Sequence, residues 1–403
     1  KAWSNASIML ACFRFLPLAA LLSSLPAALA QPLHPYLFTA DIQAAAAAGE
    51  LRVSKAAQYY SYIGAYPQAL SVPNEVPLEW GFDTLTQADE DYFTRFQPQP
   101  AVETLLDKAA TAEVLMLNEA HHKPQHRVFT RSLLPGLYER GYRYLGLEAL
   151  SNCASGFCDS TLNERGYALN SPITGTYVTE PQMGNLIREA IALGFEVFPY
   201  EQFSKDRERD QAQNIAAFME AHPDGKVVLH CGWYHLLEAE NRGYTYMAAH
   251  LQELTGADPL TVYQDVLVER HSTPESPFYR MVGTYEAPTV FTDAQGKLYN
   301  GHIGFEHFDA LVYHPRTTYQ RNRPAWLTRL PGHQLIEVDS IAIGFPVLVK
   351  AYRAEEPPPA VPVDIMEKAA AWGPTALVLP PGAYRLVILN REGATEERHI
   401  IVE

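Results

Sequence analysis

From about residue 111 the chain alternates short apolar runs with amphipathic stretches, and four of the runs stop on Glu or His. This alternation constrains the fold more than any other feature. The apolar runs at 113–118, 144–150, 195–200, 226–230 and 260–266 read as strands, with a late strand within 306–313. The stretches between them, 125–140, 182–193, 206–221 and 245–254, read as helices. Gly194 and Gly256 mark helix ends, Pro135 marks a bend, and Asp206 is a first-turn acid. Strands alternating with helices indicate βαβ units and a mostly parallel sheet flanked by helices. The expected fold is therefore α/β, with a core at 111–325.

The strand ends carry the chemistry. The first run finishes in Asn118-Glu119-Ala120-His121-His122, and the second in Glu148. The third finishes in Tyr200-Glu201, and the fourth in His230-Cys231-Gly232-Trp233-Tyr234-His235. In parallel α/β sheets, ligands bind beyond the carboxyl ends of the strands. Glu119, His121, His122, Glu148, Glu201, His230 and His235 are thus expected to converge on one pocket. An imidazole beside a carboxylate is a natural general base. The same residue types make His/carboxylate metal sites, so a divalent metal held by His121, Glu148 and His235 is the other reading of these residues. For one such residue, a hydrogen-bonded polar group at a strand end is the plainer explanation. For four strand ends together it is not, because buried unpaired polar groups are costly.

The flanks differ from this core. Residues 31–110 read as a helical extension, with an Ala run at Ala44 to Ala48 and an aromatic stripe at Tyr59, Tyr60, Tyr62 and Tyr66. Loops with Pro73, Pro77, Pro98 and Pro100 follow. Residues 330–403 alternate apolar and polar positions between Pro- and Gly-rich turns. That pattern suits a small antiparallel β module that contributes little to the site.

At the N-terminus, Arg14 precedes an apolar stretch at 15–25, and Ala28-Leu29-Ala30 follows, so residues 1–30 read as a cleaved export signal. Cys12 lies before the apolar stretch, not where a lipidated cysteine would sit. The mature chain is then expected outside the cytoplasm, periplasmic or secreted, without a membrane span. In an oxidising compartment Cys153 and Cys158 can close a small disulfide, leaving Cys231 as a packed thiol. The net charge of −15, from 46 acidic and 31 basic residues, argues against nucleic acid and against anionic membrane surfaces as partners. A small-molecule partner remains.

These motifs resemble the superfamily joining erythromycin-esterase-like hydrolases, ChaN-like haem-binding lipoproteins and Tiki/TraB-like proteins. Asn118-Glu119-Ala120-His121-His122 is similar to its Gly-Glu-x-x-His signature, with Asn118 in place of Gly. The stretch 141–149 ending in Glu148-Ala149, the run 207–214 and Gly232-Trp233-Tyr234-His235 are similar to its later motifs, as is the strand at 308–313. The resemblance covers about 113–314. It implies an esterase-like hydrolase with His121 or His122 as the base, oriented by Glu119 or Glu148. Arg131 and Arg207 would meet an oxyanion or a substrate carboxylate, and His235 would be a second acid–base group or a ligand. Tyr200, Glu201, His230 and Tyr234 would contact substrate. The ChaN-like branch implies instead a haem carrier, with Tyr200, Tyr234, Tyr263 or His235 as axial ligand. No Cys-x-x-Cys-His or Gly-x-Ser-x-Gly is present, which argues against covalent haem and a serine nucleophile.

Overall fold

A computed structural model describes residues 36–72, 81–153, 158–240, 243–270, 274–373 and 375–403. The export-signal reading of residues 1–30, Cys12, Pro73 and Pro77 fall outside them.

The core is a six-stranded sheet. Its strands are β1 (Val114–Glu119), β2 (Tyr142–Leu147), β3 (Glu196–Pro199), β4 (Lys226–Gly232), β5 (Leu260–Tyr263) and β6 (Ala310–Leu311). They lie in the order β3-β2-β4-β1-β5-β6, and every pairing is parallel. Four helices cover the sheet: α1 (Pro124–Glu139), α2 (Pro181–Leu193), α3 (Arg207–Ala221) and α4 (Met247–Thr255).

Every residue of β1 is buried, as expected of a parallel strand covered on both faces. Alternation divides its side chains. Leu115 and Leu117 share one core with Leu133 and Leu137 of α1 and Met183 and Leu186 of α2. Val114 and Met116 share the other with Ala212 and Ile215 of α3 and Met247 and Leu251 of α4. Local signals fix the helix ends. Pro124 opens α1, where a missing N–H costs nothing. Glu180 caps α2 by accepting from Met183 N–H, and Gly194 at φ 98° closes it. Pro135 is accommodated inside α1. Asp206 precedes α3 without capping it; the first-turn acids are Glu208 and Asp210.

The N-terminal extension is helical, from Thr39–Ala47 through Ala101–Ala109. Tyr60, Tyr62 and Tyr66 are buried, so the aromatic stripe is packing. One element has no sequence signal. Gln97–Pro100 pairs antiparallel with Thr289–Thr292, although a Pro-rich tetrapeptide looks like loop; two-stranded ribbons tolerate Pro because each strand has a free edge.

The C-terminal module is an antiparallel sheet of β7 (Val347–Arg353), β8 (Asp364–Lys368), β9 (Gly382–Asn390) and β10 (Thr395–Val402), in the order β8-β7-β9-β10. It has its own core around Val347, Val349, Leu386 and Ile388. It is tied to α2 through Arg188 Nε, 2.8 Å from Glu356 Oε1. Residues Pro35–Glu403 form one compact unit. Among the described residues no helix is long and apolar enough to cross a membrane.

Candidate functional site

The strand-end residues do not form one ring. They divide into two charged clusters on opposite faces of the sheet, which meet at its carboxyl edge. The cause is side-chain alternation. Glu119 follows Leu115 and Leu117 and so faces α1 and α2. Glu148 continues the alternation of β2 past Leu147 and so faces the α3 side.

On the first face, Glu119 is fully buried. Arg127 of α1 grips its carboxylate with Nε at 2.5 Å and Nη2 at 2.6 Å. His121 Nδ1 lies 2.8 Å from Oε1, and His230 Nε2 lies 2.8 Å from Oε2. The other nitrogen of His230 is 3.0 Å from Thr130 Oγ1. Arg127 Nη1 continues to Glu180 at 2.9 Å. Burial alone would raise the Glu119 pKa; Arg127, His121 and His230 outweigh it and hold the carboxyl well below the usual carboxylate range. A charge this deep is tolerated only when paired and hydrogen-bonded.

On the second face, Arg207 Nη2 donates to Glu148 at 2.7 Å, and the same guanidinium clamps Glu201. Gln211 Nε2 also donates to Glu201, at 2.9 Å. His235 lies between two acids, with Nδ1 2.8 Å from Glu208 and Nε2 3.4 Å from Glu148. Burial would lower its pKa, but Glu148 and then Glu208 outweigh burial and raise it to about 10. At neutral pH His235 is therefore a cation. Burial would likewise raise Glu148, yet His235, His121 and Arg207 keep it well below the usual range. Arg207 is the most accessible member, its side chain about a third exposed.

His121 and Gly232 join the clusters. Gly232 N–H donates to Glu148. A Cβ on Gly232 would meet His121 Cε1 at 2.5 Å and Glu148 Oε2 at 2.9 Å, so only glycine allows this approach. Tyr177 lies against His121 with ring centroids 4.5 Å apart. Trp233 flanks both His121 and His122, and holds a left-handed φ of 44°, a strain seen mainly at functional sites. Asn118 pins that turn. Its Nδ2 donates to Trp233 O at 2.9 Å, and its Oδ1 accepts from Gln264 N–H. The side chain standing where the resembled signature has Gly thus has a structural task.

The other sequence candidates lie apart. His122 turns away toward Lys123, Tyr66 and Trp326. Burial and then Lys123 lower its pKa to about 3, and among the described residues no carboxylate bonds its ring. Arg131 pairs with Glu189 at 3.3 Å. Arg127, one turn earlier, is the residue that holds Glu119. Tyr200 is buried and donates to His230 O at 3.1 Å. Tyr234 stacks on Tyr263. Cys231 is a buried free thiol whose pKa burial pushes up, which makes it a poor nucleophile. Cys153 and Cys158 are joined in a disulfide. Sequence reasoning missed Arg127, Glu180, Thr130, Tyr177 and Glu208. Two of these left a signal: Glu180 precedes the Pro that opens α2, and Glu208 lies inside the charged run at 207–210.

The donors do not fit a metal or haem. Glu148 is already held by Gly232 and Arg207, and both nitrogens of His235 face Glu208 and Glu148, so of these three only His121 keeps an open nitrogen, Nε2. Among the described residues no group of three or more His, Cys, Asp or Glu is arranged to hold an ion. For haem, the Tyr200 hydroxyl is committed to a backbone carbonyl, Tyr263 is packed between Tyr234 and Phe308, and both His235 nitrogens face carboxylates.

No protein-family model matches the chain, and no curated protein matches it significantly. Among solved structures it is similar to the type III effector HopBA1, with 11% identity over 42% of this chain and 86% of that one, at a TM-score of 0.30. It is also similar to a structure described as bacterial protein toxins, with 18% identity over 51% of this chain and 41% of that one, at 0.28. A third is RRSP, a MARTX toxin effector domain from Vibrio vulnificus CMCP6, with 17% identity over 45% of this chain and 36% of that one, at 0.27. The chain spans less than half the length of the last two. Scores this low say nothing about function.

Proposed function

We propose that this protein is a hydrolase acting on a small-molecule ester or related carbonyl compound, with His121 as general base and Glu119 as its orienter. One observation carries the reading: the His121 Nδ1 contact with the ionised Glu119 at 2.8 Å. That bond places the proton on Nδ1 and leaves the Nε2 lone pair at the partly exposed edge beside Gly232 and Glu148. Nε2 takes a proton from water as the water oxygen attacks the carbonyl carbon. The imidazolium then returns the proton to the leaving oxygen as the carbon–oxygen bond breaks. Arg207, its side chain about a third exposed, supplies positive charge for the developing oxyanion. The disulfide and the leader-like N-terminus support a place outside the cytoplasm, periplasmic or secreted.

The test is hydrolysis of p-nitrophenyl acetate and butyrate by the purified chain. The wild type is expected to turn over at least one of them. His121→Ala should lose about 10²–10⁴-fold with the fold intact, while His122→Ala should lose far less. An unchanged rate in His121→Ala, or no turnover of any ester by the wild type, would end this reading.

A further inference from the structure

A cleft of about 420 Å³ lies where α1 and α2 meet the C-terminal module. Arg131 of α1, Glu189 of α2, Arg353 of β7 and His333 stand on its walls. Arg131 is deep but underused. Its side chain is only 7% exposed, and its one charged contact is Nε, 3.3 Å from Glu189 Oε2. Among the described residues its two Nη groups bond to nothing. Neither of them is sealed from solvent without a partner. The surface Arg131 still shows to solvent therefore includes the guanidinium, and this cleft is where it opens.

The arginines of the two charged clusters show what is missing. Arg127 holds Glu119 and Glu180, and Arg207 holds Glu148 and Glu201. Arg131 touches one carboxylate, with one nitrogen. Glu180, whose charge it also feels, is spent on Arg127. The other carboxylates on the cleft do not supply the second partner. Glu356 is taken by Arg188 on both oxygens, and Glu355 is exposed and forms no bond with Arg131. Arg353 adds a second cation, with only its Nη1 committed to a backbone carbonyl, Pro381 O at 3.0 Å. Burial first, and then Arg131 and Arg353, push the His333 pKa down, so both guanidinium groups act on the same ring. A buried guanidinium with unmade bonds is costly, and its planar fork matches a carboxylate.

We propose that this cleft binds a small organic carboxylate, whose two oxygens accept from the Nη groups of Arg131, with Arg353 as a second cation. Ala192, Val363 and Pro380 offer its carbon body an apolar wall. The volume falls within the range of ligand pockets. A ligand here touches both the α/β core and the C-terminal module. The site is separate from the His121 chemistry and is read by binding alone.

The full chain is titrated with benzoate and with benzamide, its neutral analogue, by ligand-observed NMR. Benzoate is expected to bind at least about tenfold more tightly, the worth of one hydrogen bond to a charged group. Arg131→Met should erase that preference. Ala192→Trp, at an exposed position of α2 on the cleft, should abolish binding of both. Equal or tighter binding of benzamide would overturn the proposal. So would no binding of benzoate, benzoate binding unchanged in Arg131→Met, or binding that survives Ala192→Trp. Should Ala192→Trp fail to fold, the benzoate–benzamide ratio and Arg131→Met still decide.

Discussion

The two faces of the sheet carry similar charged groups in opposite conditions. Around Glu119, two carboxylates, an arginine and His230 are sealed from solvent, with Glu119 and Arg127 wholly buried. Around Glu148, the acids are also buried, but the arginine that serves them is about a third exposed. The first cluster is saturated and has little left to offer a substrate beyond the orientation of His121. The second keeps charge near solvent, where a reacting group can meet it. Perturbed ionisable groups occur in structural ion-pair networks as well as in active sites, and exposure is what separates the two clusters here.

The sharpest test of that difference is to remove the two arginines. Arg127→Met leaves Glu119 and Glu180 buried without their cation and should cost about 3–5 kcal/mol in urea unfolding. Arg207→Met should cost clearly less, because Arg207 is itself about a third exposed and water can reach the place it leaves. Equal losses would erase the distinction. Gly232→Ala probes the junction. Its new Cβ would push on His121 and Glu148, so ester turnover should fall by about 10²-fold at a stability cost of about 1–3 kcal/mol. A wild-type rate would show that His121 has room to move.

His235 gives a gradual effect. Its folded pKa of about 10 lies above the ordinary histidine value of 6.5. The stability it contributes is therefore fully present below pH 6.5 and is lost as pH rises through about 10. His235→Gln should flatten the stability profile across that window; an unaltered slope would show that His235 is not the cation. Arg131→Met should be the mildest change, within about 1 kcal/mol and with turnover preserved, since its partner Glu189 is 40% exposed and water can take the place of the guanidinium. A large loss of turnover would return Arg131 to the site.

The sheet and its edge were legible because a parallel strand buried on both faces leaves an unbroken apolar run, and the residue that stops the run is visible. Glu119, Glu148, Glu201 and His235 stand out that way. Which face each occupies was not legible, because it depends on where alternation stands when the strand ends. Arg127 and Arg131 are one helical turn apart and look equivalent in sequence; only the packing of α1 decides which of them reaches Glu119. His121 and His122 are adjacent and both lie near Trp233, but only His121 reaches Glu119. The ribbon at Gln97–Pro100 was invisible for another reason, since its partner lies nearly two hundred residues away.

That separation in sequence also has a consequence in time. Glu119, Arg127, Glu180 and His230 come from β1, α1, the start of α2 and β4. Contacts between segments so far apart pay their loop-closure entropy before they return anything, and they form late in folding. Until β4 has docked beside β1, Glu119 lacks His230. Until α2 has docked, Arg127 lacks Glu180. A chain still on its way to the native state therefore holds no correctly aimed His121, and the chemistry proposed for it would begin only when folding is finished.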